Sequence, residues 1–118
     1  MKDRPLTVSD ILIVTGNFVE ATDIREALSP LDATRIQHLR EINDAAHLLL
    51  DSGFCPQLSI ISYTRADLEF AGFVTRLQAL DCTLLLIDAP DAIAAEYSAN
   101  VLKRPFSTED FVSMVSLL

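Results

Sequence analysis

The sequence predicts a three-layer α/β domain, a parallel five-stranded sheet of order 2-1-3-4-5 with helices on both faces. Three observations lead there. Short apolar runs recur at residues 11–15, 58–63 and 83–87. Between them the apolar spacing changes to three and four residues, the period of a helix with one buried face. Strands that alternate with helices pair in parallel, because each return to the same end of a sheet needs a crossover.

Residues 11–15, Ile-Leu-Ile-Val-Thr, stop at Gly16 and Asn17, as a strand buried on both faces does. Over residues 18–31, Val19, Ile24, Ala27, Leu28 and Leu31 fall on one helical face, and Pro30 marks the last turn. Asn17 is placed to cap this helix, with Glu20 three residues on as in a capping box. Residues 33–39 form a shorter strand around Ile36. Residues 41–52 form a helix that turns Ile42, Ala45, Ala46, Leu49 and Leu50 inward, with Gly53 as its C-cap. Residues 58–63 are the third strand. The third helix covers residues 66–80 and carries Leu68, Phe73, Val74, Leu77 and Leu80 inward. Residues 83–87 are a wholly apolar fourth strand, residues 91–98 a short alanine-rich helix, and residues 99–103 a weak fifth strand. Ser107 caps the last helix, whose inner face holds Phe111, Val112, Val115 and Leu118. The richest apolar runs take the central positions and the weaker second and fifth runs the edges, which gives the flavodoxin-like (βα)5 order. The single domain spans residues 1–118, with residues 1–9 as an N-terminal extension.

Half of the residues are hydrophobic, glycine is scarce and tryptophan is absent, so the core is mostly aliphatic. A domain of 118 residues buries roughly two thirds of its unfolded surface and needs no staple. A net charge of −8 disfavours direct nucleic-acid binding, and among the scattered cations only Lys103 and Arg104 are adjacent. Cys55 and Cys82 lack CxxC spacing and read as small buried hydrophobes. His38 and His47 are not spaced as metal ligands, so no metal and no cofactor is expected. Residues 1–5 are polar and make no signal peptide, and no apolar run is long enough to cross a bilayer. The expectation is a cytoplasmic domain without membrane contact.

In an open α/β sheet, function gathers at the carboxyl ends of the strands, near the switch point between strands one and three. Those ends read Thr15-Gly16-Asn17, Ser62-Tyr63-Thr64, Asp88-Ala89-Pro90 and Lys103-Arg104-Pro105-Phe106. Ser62 has no histidine base at this face, which argues against a serine nucleophile.

Residues 100–111, Asn-Val-Leu-Lys-Arg-Pro-Phe-Ser-Thr-Glu-Asp-Phe, resemble the strand-Lys-Pro-Phe-helix signature of response-regulator receiver (CheY-like) domains. Residues 56–62 resemble the family's third strand, Pro-Asp-Leu-x-x-x-Asp, and residues 11–14 its first. The resemblance runs from Ile11 to Leu118. An active receiver holds magnesium on an acid pair after strand one and takes phosphate on an aspartate that ends strand three. Here the acid-pair positions fall on Thr15 and Gly16, beside Asn17, and the acceptor position falls on Ser62. The phosphate-sensing hydroxyl falls on Asp88, followed by Ala89; the lysine falls on Arg104, one residue after Lys103; the switch aromatic falls on Val101.

The resemblance therefore implies a degenerate pseudo-receiver of two-component-type signal transduction. It would be no enzyme, bind no metal and take no phosphate. It would act by phosphorylation-independent protein–protein interaction, through the face of the fourth helix, fifth strand and fifth helix, with a protein partner or a second copy. Atypical receivers also occur as N-terminal domains of larger proteins, including pilus-assembly ATPases. Asp88 stands as the lone carboxylate of the pocket and is expected to pair with Lys103 or Arg104. The family register favours Arg104, whose planar fork suits a carboxylate. Two alternatives are a small-ligand or flavin/nucleotide-binding flavodoxin-like module and a receiver phosphorylated on Asp88. The first needs a phosphate cradle, for which Thr15-Gly16-Asn17 offers few groups.

Overall fold

A computed structural model describes residues 10–29, 35–52, 54, 56–63 and 69–117. The apolar runs form strands and the segments of three-and-four spacing form helices. In chain order these are β1 (Asp10–Val14), α1 (Phe18–Leu28), β2 (Arg35–Leu39), α2 (Ile42–Ser52) and β3 (Leu58–Ser62). Then come α3 (Phe70–Ala79), β4 (Thr83–Ile87), α4 (Asp91–Tyr97), β5 (Asn100–Leu102) and α5 (Thr108–Ser116). The strands pair in parallel in the order β2-β1-β3-β4-β5, as the sequence predicts. The register sets Val14 beside Ile61, Ser62 beside Ile87 and Ile87 beside Leu102, so the carboxyl ends of β1, β3, β4 and β5 lie at one edge.

Side chains alternate across the sheet and make two cores. Ile11, Ile13, Leu58, Ile60, Leu85 and Ile87 face α1 and α5, where they meet Ile24, Leu28 and Phe111. Leu12, Val14, Ile61, Leu84 and Leu86 face α2 and α3, against Leu49, Phe73 and Leu77. Each fully buried aliphatic chain contributes roughly 1.5–3 kcal/mol, so β1, β3 and β4 hold the domain together. Ser59 is fully buried on β3, and its hydroxyl is 3.1 Å from the Cys82 sulfur. Cys82 is buried as predicted.

Several expectations are corrected. Val19 is 70% exposed, Leu50 63% and Val112 42%, so each lies on its helix's outer face, and Leu80, 40% exposed, follows α3 as its C-cap. Phe70, absent from the predicted core, is buried and meets Tyr63 and Tyr97 edge to face. β1 includes Asp10, whose carboxylate pairs with Arg35 at 3.2 Å at the amino end of the sheet. Thr15 follows β1, and β5 stops at Leu102 rather than residue 103. The Ser107 cap is a full capping box with Asp110. Gly53, Pro30, Leu31, Cys55, Thr64, Leu68, Leu118 and residues 1–9 lie outside the described residues.

Among the described residues, three non-glycine residues have left-handed backbone: Asp81, Asp88 and Ser98. Ser98 ends α4 with φ 51°. A side chain there crowds the following carbonyl, at roughly 1–2 kcal/mol. Ser98→Gly is expected to stabilise the domain by about 1 kcal/mol in denaturant unfolding, and Ser98→Val to destabilise it. No gain with glycine would show that the turn is not strained.

Candidate functional site

The loops at the carboxyl edge converge on one side chain, that of Arg104. Parallel pairing of β4 with β5 brings the two loops together, and the Asp88 amide donates to the Leu102 carbonyl at 2.9 Å. The Arg104 amide answers with a 2.8 Å bond to Asp88 Oδ1, and Arg104 Nη1 lies 3.2 Å from Asp88 Oδ2. The predicted pair thus forms, in the register that favours Arg104. Lys103 turns the other way, and its Nζ donates to the Ala89 carbonyl at 2.9 Å. Lys103 Nζ also lies 3.8 Å from Asp91. The Arg104–Pro105 peptide bond is cis.

The larger partner of Arg104 is Glu20. Arg104 Nε donates to Glu20 Oε2 at 2.7 Å and Nη2 to Glu20 Oε1 at 2.8 Å, a two-pronged grip. Nη2 also donates to the Ser62 hydroxyl at 2.8 Å. Thr15, buried behind the pocket, donates its hydroxyl to Glu20 Oε1 at 3.0 Å and accepts from the Asn17 amide at 3.2 Å. Asn17 caps α1 as expected, accepting from the Glu20 amide at 3.0 Å. The Glu20 side chain, however, does not close a capping box. It turns into the pocket, so Asp88 is not the lone carboxylate there. Helical side chains tilt toward the helix N-terminus, and α1 starts at the carboxyl edge, so a first-turn glutamate points into the site. That geometric signal was present in the sequence at Glu20.

The site brings together Thr15, Asn17, Ser62, Asp88 and Arg104 among the predicted residues. Lys103 stands beside it. Gly16 offers only open space, with no atom within 4 Å of an added Cβ. Val101, at the switch-aromatic position, is half-buried on β5. Tyr97 and Phe106 are packing residues: Tyr97 meets the Phe70 ring and Phe106 stacks on Phe111 at 6.5 Å. His38 Nε2 hydrogen-bonds the Thr15 carbonyl at 2.9 Å, and the Phe18 ring stands edge-on to it.

The electrostatics follow from the guanidinium. Its side-chain hydrogen bonds hold the Glu20 carboxyl below its ordinary value, with burial opposing. Asp88 is also held low, first by the Arg104 amide and further by the Arg104 side chain, with burial pulling the other way. Arg104 itself is pushed further up, chiefly by its bonds to Glu20. Glu20 has a side chain 10% exposed, against 39% for Asp88, so water screens the second pair far more.

The receiver fold raises the question of a divalent cation. The donor set does not fit one. The residues that follow β1, Thr15 and Gly16, carry no carboxylate, and Glu20 and Asp88 are both already paired with the Arg104 guanidinium. Among the described residues no three His, Cys, Asp or Glu side chains converge as a metal site.

The fold is that of response-regulator receiver domains. Three solved structures illustrate the likeness, all at low identity. A response regulator receiver protein from Sinorhizobium medicae is 14% identical, with 92% of each chain covered and a TM-score of 0.74. HP1043, an orphan response regulator of H. pylori, is 19% identical over 96% of this chain and 98% of its own, with a TM-score of 0.73. The response regulator PhyR from Brucella abortus is 13% identical over 96% of this chain and 48% of its own, with a TM-score of 0.71. By sequence, no protein-family model and no curated protein matches the chain. Among the described residues no helix is long and apolar enough to cross a membrane.

The Glu20–Arg104 pair is expected to dominate the site. A double-mutant cycle of Glu20→Gln and Arg104→Gln by denaturant unfolding should give a coupling of about 1–3 kcal/mol. The Asp88→Asn cycle with Arg104→Gln should give a smaller one; equal couplings would contradict the difference in exposure. Both carboxyls titrate below their ordinary values of 4.5 and 3.8, so the unfolded chain binds protons more readily than the native one. Their stabilisation is complete above the ordinary carboxylate range and is lost as pH falls through the lowered folded values. Unfolding midpoints measured from neutral to strongly acid pH should therefore fall less steeply in Glu20→Gln than in the wild type.

Proposed function

We propose that this domain is a pseudo-receiver, an interaction module whose carboxyl-edge loops are tied by an internal cation instead of being switched by phosphate. One observation carries the reading: Arg104 binds Glu20, Asp88 and Ser62 at once, in the place where a receiver holds its metal and phosphoryl group. Ser62 has a hydroxyl where acyl-phosphate chemistry needs a carboxylate. The domain is then no enzyme, and works in the cytoplasm in two-component-type signalling by binding protein. The same reading extends to a role as the N-terminal domain of a larger protein such as a pilus-assembly ATPase.

The face of α4, β5 and α5 is the proposed site for the protein partner. No residue of α4 is buried, although Ile93 and Tyr97 lean on the core. Val112 on α5 is 42% exposed. A seven-residue helix with so little buried surface leaves its alanines free to be covered from outside.

Incubation with acetyl phosphate and magnesium should leave the intact mass unchanged. A stoichiometric gain of one phosphoryl group, reversed by hydroxylamine, would overturn the reading. Calorimetric titration should show no saturable magnesium site of submillimolar affinity in the wild type. In Arg104→Gln the two carboxylates lose their cation, and magnesium affinity should rise. A wild-type site as tight as that of the variant would mean that Arg104 does not guard the pocket.

A further inference from the structure

We propose that the trough between α1 and the start of α5 binds a small organic ammonium, an amine carried on an apolar body. The trough is a cavity of about 300 Å³ beside the Arg104 site. Its volume stands at the lower end of the range for small-molecule pockets. The buried Ile24 and Phe111 floor it. Val19 and Ala27 line it from α1, and the half-buried Phe106, stacked on Phe111, lines it from the other side.

The spacing along α1 accounts for the opening. Val19, Asp23 and Ala27 follow one another at four-residue steps and so share one stripe of the helix. Alanine is too short to fill the space toward α5. Asp23, between the two apolar residues, turns toward water instead of packing against the rings.

Charge identifies the occupant. Among the described residues, Arg104 is the only cation that lines the trough, and Glu20 and Asp88 already engage its guanidinium. Asp23 has no hydrogen bond and no ion pair among the described residues. Two lining carboxylates, Glu20 and Asp23, against one guanidinium leave the trough with one negative charge to spare. An anion is opposed there by both acids, and a neutral apolar body would desolvate Asp23 unpaired. An ammonium pairs with Asp23, and the negative face of the Phe106 ring favours it further. The apolar body then covers Val19, Ala27 and Phe106. The space takes a whole small molecule, body and head, which is more than a single lysine stem fills. A net charge of −8 draws such a cation toward the domain.

Chemical-shift titration of the whole isotope-labelled chain with phenethylammonium tests the proposal. Shifts should saturate at roughly millimolar concentration, as for a fragment of this size, and should cluster at Val19, Asp23, Ala27 and Phe106. Asp23→Asn should raise the Kd about fivefold, the scale of an exposed ion pair. Val19→Lys should weaken binding at least as much, because a lysine one turn before Asp23 can occupy that carboxylate from within. Both positions are exposed, so both variants should keep the wild-type circular dichroism spectrum and Tm. Phenylpropionate, the same body with an acid head, and methylammonium, the head without the body, should each bind at least about tenfold more weakly. Equal binding by either would overturn the proposal, as would an unchanged Kd in Asp23→Asn or shifts spread evenly over the acidic surface. A lysine-containing peptide that bound the same residues far more tightly than the free amine would overturn the small-molecule source and assign the trough to a protein partner. Phosphate uptake is read by mass and amine binding by chemical shift, so this proposal and the pseudo-receiver reading can fail separately.

Discussion

A single guanidinium organises the functional edge of this domain. Arg104 donates to Glu20 on α1, to Ser62 at the end of β3 and to Asp88 after β4, while its own backbone follows β5. Four segments distant in sequence are thereby held in one geometry. The planar fork is what makes this possible: its donors diverge in fixed directions, so one group can answer several acceptors, which a lysine ammonium does less selectively. Its charge persists at all ordinary pH values, so the latch is limited only by protonation of its two carboxylates.

The latch depends on the sheet beneath it. Buried aliphatic residues on β1, β3 and β4 set the strand register, and the register brings the loop ends to one edge. Within that frame a receiver that binds metal and phosphate needs several acids and a compact cation. Here the balance is reversed, with one organic cation and two acids. On the proposed reading this exchanges a switchable pocket for a permanent one. The module then speaks to its partners through its helical faces, not through a change at the strand ends.

Those helical faces divide the surface. α4 carries no buried residue, and α2 and α3 expose an open cleft at Gly72. Several residues counted toward the core from their spacing, Leu50 and Val112 among them, lie on these faces instead. Helical periodicity places a residue on an apolar stripe, yet a stripe wider than the sheet can cover leaves its margin in water. An apolar residue at the margin obeys the same spacing as one in the core.

The architecture is legible in the order of the residues. Continuous apolar strands alternating with amphipathic helices admit essentially one class of parallel sheet, and the strength of each run ordered centre and edge. The sequence also put Thr15, Gly16 and Ser62 at the carboxyl ends of the first and third strands, because residue identity at a strand end needs no third dimension. The Asp88–Arg104 contact was legible for the same reason: neighbouring strands and alternation leave one cation facing the pocket. That Glu20 is the stronger partner emerges from the packing of α1 on the sheet. Glu20 and Arg104 are 84 residues apart. In the sequence Glu20 satisfies a local capping pattern equally well, and the choice between a nearby amide and a distant guanidinium is made by how α1 sits over the sheet. Local pattern fixes which groups a segment offers, while packing decides which of them meet.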